Sequence, residues 1–117
     1  MKIDENLNIT LRRGDSDSIT VAVRGGEELL VSGALLELTV RRTAEDEAEV
    51  HKEIREFPEG KAVIPFEPED TEGMDFGRYV YDIQLTDVGG RVLHLVPPRP
   101  EQPLPKFTLT QEVTHNG

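Results

Sequence analysis

Short runs in which every second residue is apolar, broken at close intervals by glycine, proline or aspartate, constrain this chain more than any other feature. Leu7, Ile9 and Leu11 alternate with polar neighbours, and Ile19, Val21 and Val23 repeat the period with Thr20 and Ala22 between them. The pattern recurs at Leu36, Leu38 and Val40, at Ala62, Ile64 and Phe66, and at Tyr79, Tyr81, Ile83 and Leu85. Val92, Leu93, Leu95 and Val96 follow Gly89-Gly90, and Phe107 and Leu109, extended by Val113, carry it towards the end. A period of two places alternate side chains on one face of a strand, whereas a helix repeats every three to four residues. Seven or eight such strands predict an all-β chain, an antiparallel β-sandwich in one domain over residues 1–117. Gly89-Gly90 reads as a two-residue hairpin turn, because both residues can take positive φ without a Cβ clash.

One segment carries two competing patterns. Ala44 to Phe57 is rich in alanine, glutamate and lysine, and Val50, Ile54 and Phe57 fall on one helical face. Thr43 and Asp46 also have the spacing of a capping box. The alternative is an acidic loop from Glu45 to Glu49, followed by a strand in which Val50 and Ile54 share a face. Twelve of the 23 acidic residues lie between Glu45 and Asp75, which suits a solvated face and an edge guarded by charge. Further on, Pro97, Pro98, Pro100, Pro103 and Pro105 sit within nine residues, together with Arg99 and Leu104. Proline fixes φ, so 97–105 is expected to run as an extended, polyproline-like connector before the last strand. The same stretch is the candidate arm for docking a partner.

Little in the composition supports chemistry. There is no cysteine, which excludes disulfides, thiolate nucleophiles and zinc–thiolate sites. The net charge of −10 repels phosphate backbones, so no nucleic-acid partner is expected. No apolar run is long enough for a membrane span, and no leader opens the chain, so neither a membrane nor a signal peptide is expected. His51, His94 and His115 fall on different expected elements, and no local spacing makes them a metal site. Asp15 and Asp17 lack the spacing of a calcium loop and read as an ordinary turn. Asp70, Glu72 and Asp75 offer carboxylates but no implied pocket. No catalytic residue, metal or cofactor is expected, and the chain is read as a non-enzyme.

The most specific motif is Asp75-Phe76-Gly77-Arg78-Tyr79-Val80-Tyr81. A D-x-G-x-Y-x-C stretch opens strand F of immunoglobulin-like sandwiches, its tyrosine forming a corner with the preceding loop. Here Tyr81 stands at the cysteine position, so Asp75, Gly77, Tyr79 and Tyr81 are fold markers. Tyr79 and Tyr81 point to one face, and with Phe66 and Phe107 they supply the bulk of the expected core.

The order of segments then resembles a known family. "RRGDS", "GALLELTVRR", "GKAVIPFEPEDT", "GRYVYDIQLTD", "GGRVLHL" and "FTLTQEVT" follow one another as in the immunoglobulin-like β-sandwich domain of bacteriophage and prophage tail and baseplate proteins. The chain is similar to the N-terminal domain of the baseplate upper protein of siphophages. Pro68-Glu69-Asp70-Thr71 followed by Gly77 to Leu85 carries most of that likeness. It implies a strand at Val50–Ile54 and a structural virion protein of the tail, baseplate or neck. It also implies virion proteins as partners, and copies arranged as a homo-oligomer in the particle. The proline-rich insertion departs from the family, and the chain stops where larger relatives continue into receptor-binding parts. A capsid-decorating protein and a carbohydrate- or cell-surface-binding module are the alternatives. The second needs exposed aromatic rings, and only six aromatic residues exist.

Overall fold

The alternating runs form strands. The computed structural model describes residues 1–25 and 27–111, and nine strands lie among them. They are β1 (Lys2–Ile3), β2 (Ile9–Arg12), β3 (Asp17–Val21), β4 (Leu35–Arg41), β5 (Ala48–Ile54), β6 (Ala62–Phe66), β7 (Gly77–Thr86), β8 (Val92–Val96) and β9 (Lys106–Thr110). The strand beyond the expected seven or eight is β1, two residues long. Val113 and His115 lie outside the described residues. Among the described residues no helix is long and apolar enough to cross a membrane.

Seven strands make one sheet in the order β1-β2-β9-β7-β4-β5, with β8 also paired to β7, while β3 and β6 form a second, two-stranded sheet. The expectation of a wholly antiparallel sandwich needs correction. β2 and β9 run parallel, Ile9 opposite Phe107 and Leu11 opposite Leu109, so the larger sheet is mixed. These two strands come from opposite ends of the chain, where no hairpin turn dictates direction.

The ambiguous segment is a strand. β5 pairs with β4, Val50 opposite Val40 and Ile54 opposite Leu36. Val50 is buried and Ile54 half-buried, while Glu49, His51 and Glu53 are exposed on the other face. The Thr43 hydroxyl donates to Asp46 Oδ2 at 2.9 Å, and Asp46 N–H donates to Thr43 O, closing a turn instead of opening a helix.

β7 is the long central strand. One edge pairs with β4; on the other, β9 covers its first half and β8 its second. Because both run antiparallel to β7, β8 and β9 are two halves of a single path that 97–105 interrupts. The core lies between the sheets as one continuous cluster. Phe66 and Phe107 stack at 5.6 Å, and Tyr81 meets Phe107 edge-on at 6.5 Å. Each such fully buried side chain stabilises the fold by about 2 kcal/mol relative to exposure.

The β7–β8 hairpin also differs from its expected form. Asp87 N–H donates to Arg91 O at 2.9 Å and Gly90 N–H to Asp87 O at 2.9 Å, which makes a three-residue loop. Gly90 alone in this loop has positive φ, +86°.

Candidate functional site

The proline-rich stretch leaves the sheet after Val96 and returns at Lys106. Its expected extension is not what the backbone does. Gln102 N–H donates to Arg99 O at 3.1 Å and the Gln102 side-chain oxygen accepts from Arg99 N–H at 3.2 Å, so the chain turns back on itself. Pro100 occupies the second position of that turn, where its fixed φ is favourable. The return is pinned twice: Tyr81 N–H donates to Pro105 O at 3.1 Å, and Lys106 N–H to Asn8 Oδ1 at 2.9 Å. Of the residues singled out for docking, Pro98, Arg99, Pro100 and Pro103 are exposed, Pro97 and Leu104 half-buried, and Pro105 buried. Pro105 is therefore part of the anchor and cannot meet a partner. Hollows flank the loop on both sides. One of about 520 Å³ separates it from the β1–β2 turn, and another of about 450 Å³ lies towards Asp82 and His94.

Asp75, Gly77, Tyr79 and Tyr81 gather at the start of β7 and act on the fold itself. Tyr79 is buried, and its hydroxyl donates to Asp75 O at 2.8 Å. The Arg42 guanidinium lies over the Tyr79 ring at 4.8 Å. Gly77 has φ +123°, a region closed to most side chains, and a Cβ there would also meet Arg42 Nη1 at 3.5 Å. Tyr81 is buried beside Phe107, and its hydroxyl donates to Leu7 O. Burial pushes the Tyr81 phenol up to about 12, and the nearby Asp4 charge adds to this. Of these residues Tyr81 also lines a groove, one walled mainly by aliphatic side chains, and its hydroxyl is taken up by Leu7 O.

One cluster escaped the sequence reading. Glu37, His51 and Glu53 come together on the outward face of β4 and β5, each offering a ligand-type atom within 4.8 Å of the others. His51 Nε2 is 3.1 Å from Glu37 Oε2 and 3.6 Å from Glu53 Oε1, and Nδ1 is 3.0 Å from the Thr39 hydroxyl. With the ring proton on Nε2, the imidazole donates to the Glu37 carboxylate and Nδ1 accepts from the Thr39 hydroxyl, so both nitrogens are satisfied without any ion. The spacing of His51 and Glu53 was a readable signal, since residues two apart share a strand face. Glu37 was not readable, because its place opposite Glu53 depends on the β4–β5 register.

Three of the other carboxylates singled out in the sequence, Asp70, Asp17 and Asp15, are already engaged. Asp70 is partly buried, which works against its charge. The Glu67 N–H at 2.7 Å and the Lys52 ammonium at 2.7 Å nevertheless hold its carboxyl below the usual range. Such a group stays ionised and makes a poor general acid. Asp17 is held low by the Met1 ammonium at 2.9 Å and by Ser18 N–H, while Asp15 accepts from Arg12 Nε at 3.1 Å. Neither is poised for calcium. Among the residues singled out for docking, the turned loop with its two hollows is the surface free to meet another molecule. No protein-family model matches the chain, and no curated protein matches it in sequence.

Proposed function

We propose that this chain is a non-enzymatic structural component of a phage or prophage virion, of the tail, baseplate or neck, that works by docking other virion proteins. The reading takes the sandwich as immunoglobulin-like. In that scheme β7 is strand F opened by Asp75-x-Gly77-x-Tyr79, β4 and β5 are its neighbours on one side, and β8 with β9 is a split strand G. The β3–β6 pair supplies the facing sheet. The tyrosine-corner bond from Tyr79 to Asp75 supports this assignment.

The observation that carries the functional reading is the interrupted strand path, with β8 on an edge of the sheet and β9 inside it between β7 and β2. A loop anchored at both ends by a sheet, turned internally by its own hydrogen bonds and exposing Pro98, Arg99, Pro100 and Pro103, loses little conformational freedom when a partner closes over it. Copies are expected to repeat with the symmetry of the particle. The carbohydrate-binding alternative lacks a platform: Phe76 is the most exposed aromatic among the described residues, and the Arg13 guanidinium stacks on it at 4.1 Å.

Quantitative mass spectrometry of gradient-purified particles tests the reading. A fixed ratio of this chain to a major tail or capsid protein is expected. Replacing 98–103 by a short glycine linker, with the anchors Pro97 and Pro105 kept, should lower incorporation at least about tenfold, or ~1.4 kcal/mol. Normal incorporation would remove the loop from the account, and absence from particles would remove the virion role.

A further inference from the structure

The margins of the two sheets are not alike. β1 is two residues long, β5 carries Glu49, Lys52 and Glu53, and β6 has Pro65, which offers no N–H. Short strands, charges and prolines are the devices that stop an edge from recruiting another chain. β3 has such protection at one end only. Ser18 stands opposite Pro65, which has no amide hydrogen, so that pair is not a hydrogen-bonded one. Asp17, Ile19 and Val21 accordingly make the ladder to β6. The N–H and C=O groups of Ser18, Thr20 and, by alternation, Ala22 point away from it. Ser18 N–H is taken up by Asp17 Oδ1 at 2.8 Å, which closes that end. Thr20 to Arg24 is left open, and among the described residues β3 pairs with β6 alone.

Along this open stretch runs a groove of about 490 Å³. Val21 and Val23 line it from one sheet, Ile83 and Leu95 from the other, and Ile3 from β1. Among the described residues, Arg24 is the one charged residue on it. An unpaired backbone row beside an apolar trough selects for one kind of occupant, an extended strand. Its backbone would bond Thr20 and Ala22, and every second side chain would enter the groove. The two-stranded sheet would then gain a third strand, the point at which a small sheet becomes firmly stable.

We infer that the Thr20–Arg24 edge takes up a strand of another protein, about five to six residues long, with aliphatic side chains at alternate positions and a carboxylate at the Arg24 end. A second copy of this chain is disfavoured as donor at this edge, because two bodies of charge −10 would be brought together. The inference rests on reading the chain as a docking protein, but it is independent of the proline-rich loop.

The test uses the whole chain and a synthetic acetylated peptide amide, Ser-Val-Thr-Ile-Thr-Val-Glu, with an isomer in which the three aliphatic residues are contiguous. Amide hydrogen exchange at Thr20 and Ala22 should slow at least about tenfold with the alternating peptide, while Ile19 and Val21, already in the ladder, change by less than about twofold. Ala22→Pro removes the edge donor without touching the β6 ladder, and should abolish that protection. If that variant loses its far-ultraviolet spectrum, a peptide N-methylated on its edge-facing amides asks the same question of the native chain, and should give no protection. Three results would overturn the inference: no slowing at about 1 mM peptide, equal slowing with the isomer, or the same slowing in concentrated chain without peptide, which would make a second copy the occupant. Normal incorporation of Ala22→Pro into particles would sink this edge and leave the virion role standing. Peptide protection of a chain absent from particles would do the reverse.

Discussion

The β1–β2 and β7–β8 hairpins close with the same loop built from different residues. In one, Asp4 N–H donates to Asn8 O and Leu7 N–H to Asp4 O; in the other, Asp87 N–H donates to Arg91 O and Gly90 N–H to Asp87 O. Asp4 Oδ1 accepts from the amides of Asn6 and Asn8, and Asp87 Oδ1 from those of Gly89 and Arg91, all four at 2.9 Å. Both loops need a left-handed residue at the fourth position. Gly90 supplies it at φ +86° with open space around it, whereas Leu7 sits there at φ +64°. A leucine in that region costs about 1–2 kcal/mol. The first loop is held from outside: Leu7 O takes the buried Tyr81 hydroxyl, and Asn8 Oδ1 takes Lys106 N–H. The lesson is that an aspartate in the first position sets the turn, while the strained position tolerates a side chain only where tertiary bonds hold the backbone.

Breaking that support gives the largest effect. Tyr81→Phe keeps the ring against Phe107 and removes only the bond to Leu7 O, and should lower unfolding stability in urea by about 2 kcal/mol. Its pH dependence adds a sharper signature. The folded phenol is raised to about 12, above the ordinary value near ~10. Its contribution is therefore complete below about pH 10 and is lost as pH rises towards 12. That alkaline loss should be steeper in the native chain than in Tyr81→Phe. Gly90→Ala comes next, at about 1 kcal/mol, because nothing outside the β7–β8 loop compensates the left-handed backbone. Leu7→Gly is smaller and of opposite sign. It relieves about 1–2 kcal/mol of local strain but gives the unfolded chain roughly 0.5–1 kcal/mol of extra freedom. A net gain of about 0.5 kcal/mol is expected from the urea midpoint; a loss would mean that Leu7 stabilises mainly by its packing.

The same contrast separates what was legible in the sequence from what was not. Alternation at Ile9, Leu36, Ile64 and Tyr81 is a local signal, and each of these residues is buried in a strand. The Tyr79 bond to Asp75 spans four residues, so the D-x-G-x-Y spacing was enough to anticipate its form. The Tyr81 bond spans 74 residues and depends on β1–β2 being seated beside β9 and β7, which no turn residue announces. The parallel β2–β9 pairing was hidden for the same reason. Proline content at 97–105 spoke for fixed φ angles and extension. Yet one proline in the second position of a turn, with Gln102 closing it, is equally compatible with that content. The Glu37–His51–Glu53 group shows the intermediate case, with two members readable from a strand period and the third only from register.

The smallest expected effect tests whether the aspartate sets the turn. Asp4 is held below the ordinary carboxylate range chiefly by Asn8 N–H, then by the Asn8 side chain, against a small opposing effect of burial. A carboxyl whose folded value lies below its unfolded one adds stability above about pH 4. That addition fades as acid protonates it in the folded state. Asp4→Asn should thus flatten the acid limb of the melting-temperature profile and lower the neutral region slightly, since an asparagine oxygen still accepts both amides but its nitrogen cannot accept from Asn8 Nδ2. Nuclear magnetic resonance titration of the Asp4 carboxyl gives the direct reading. A midpoint at or above the ordinary value would mean that the Asn6 and Asn8 amides do not converge on it in solution, and the parallel with the Asp87 loop would end there.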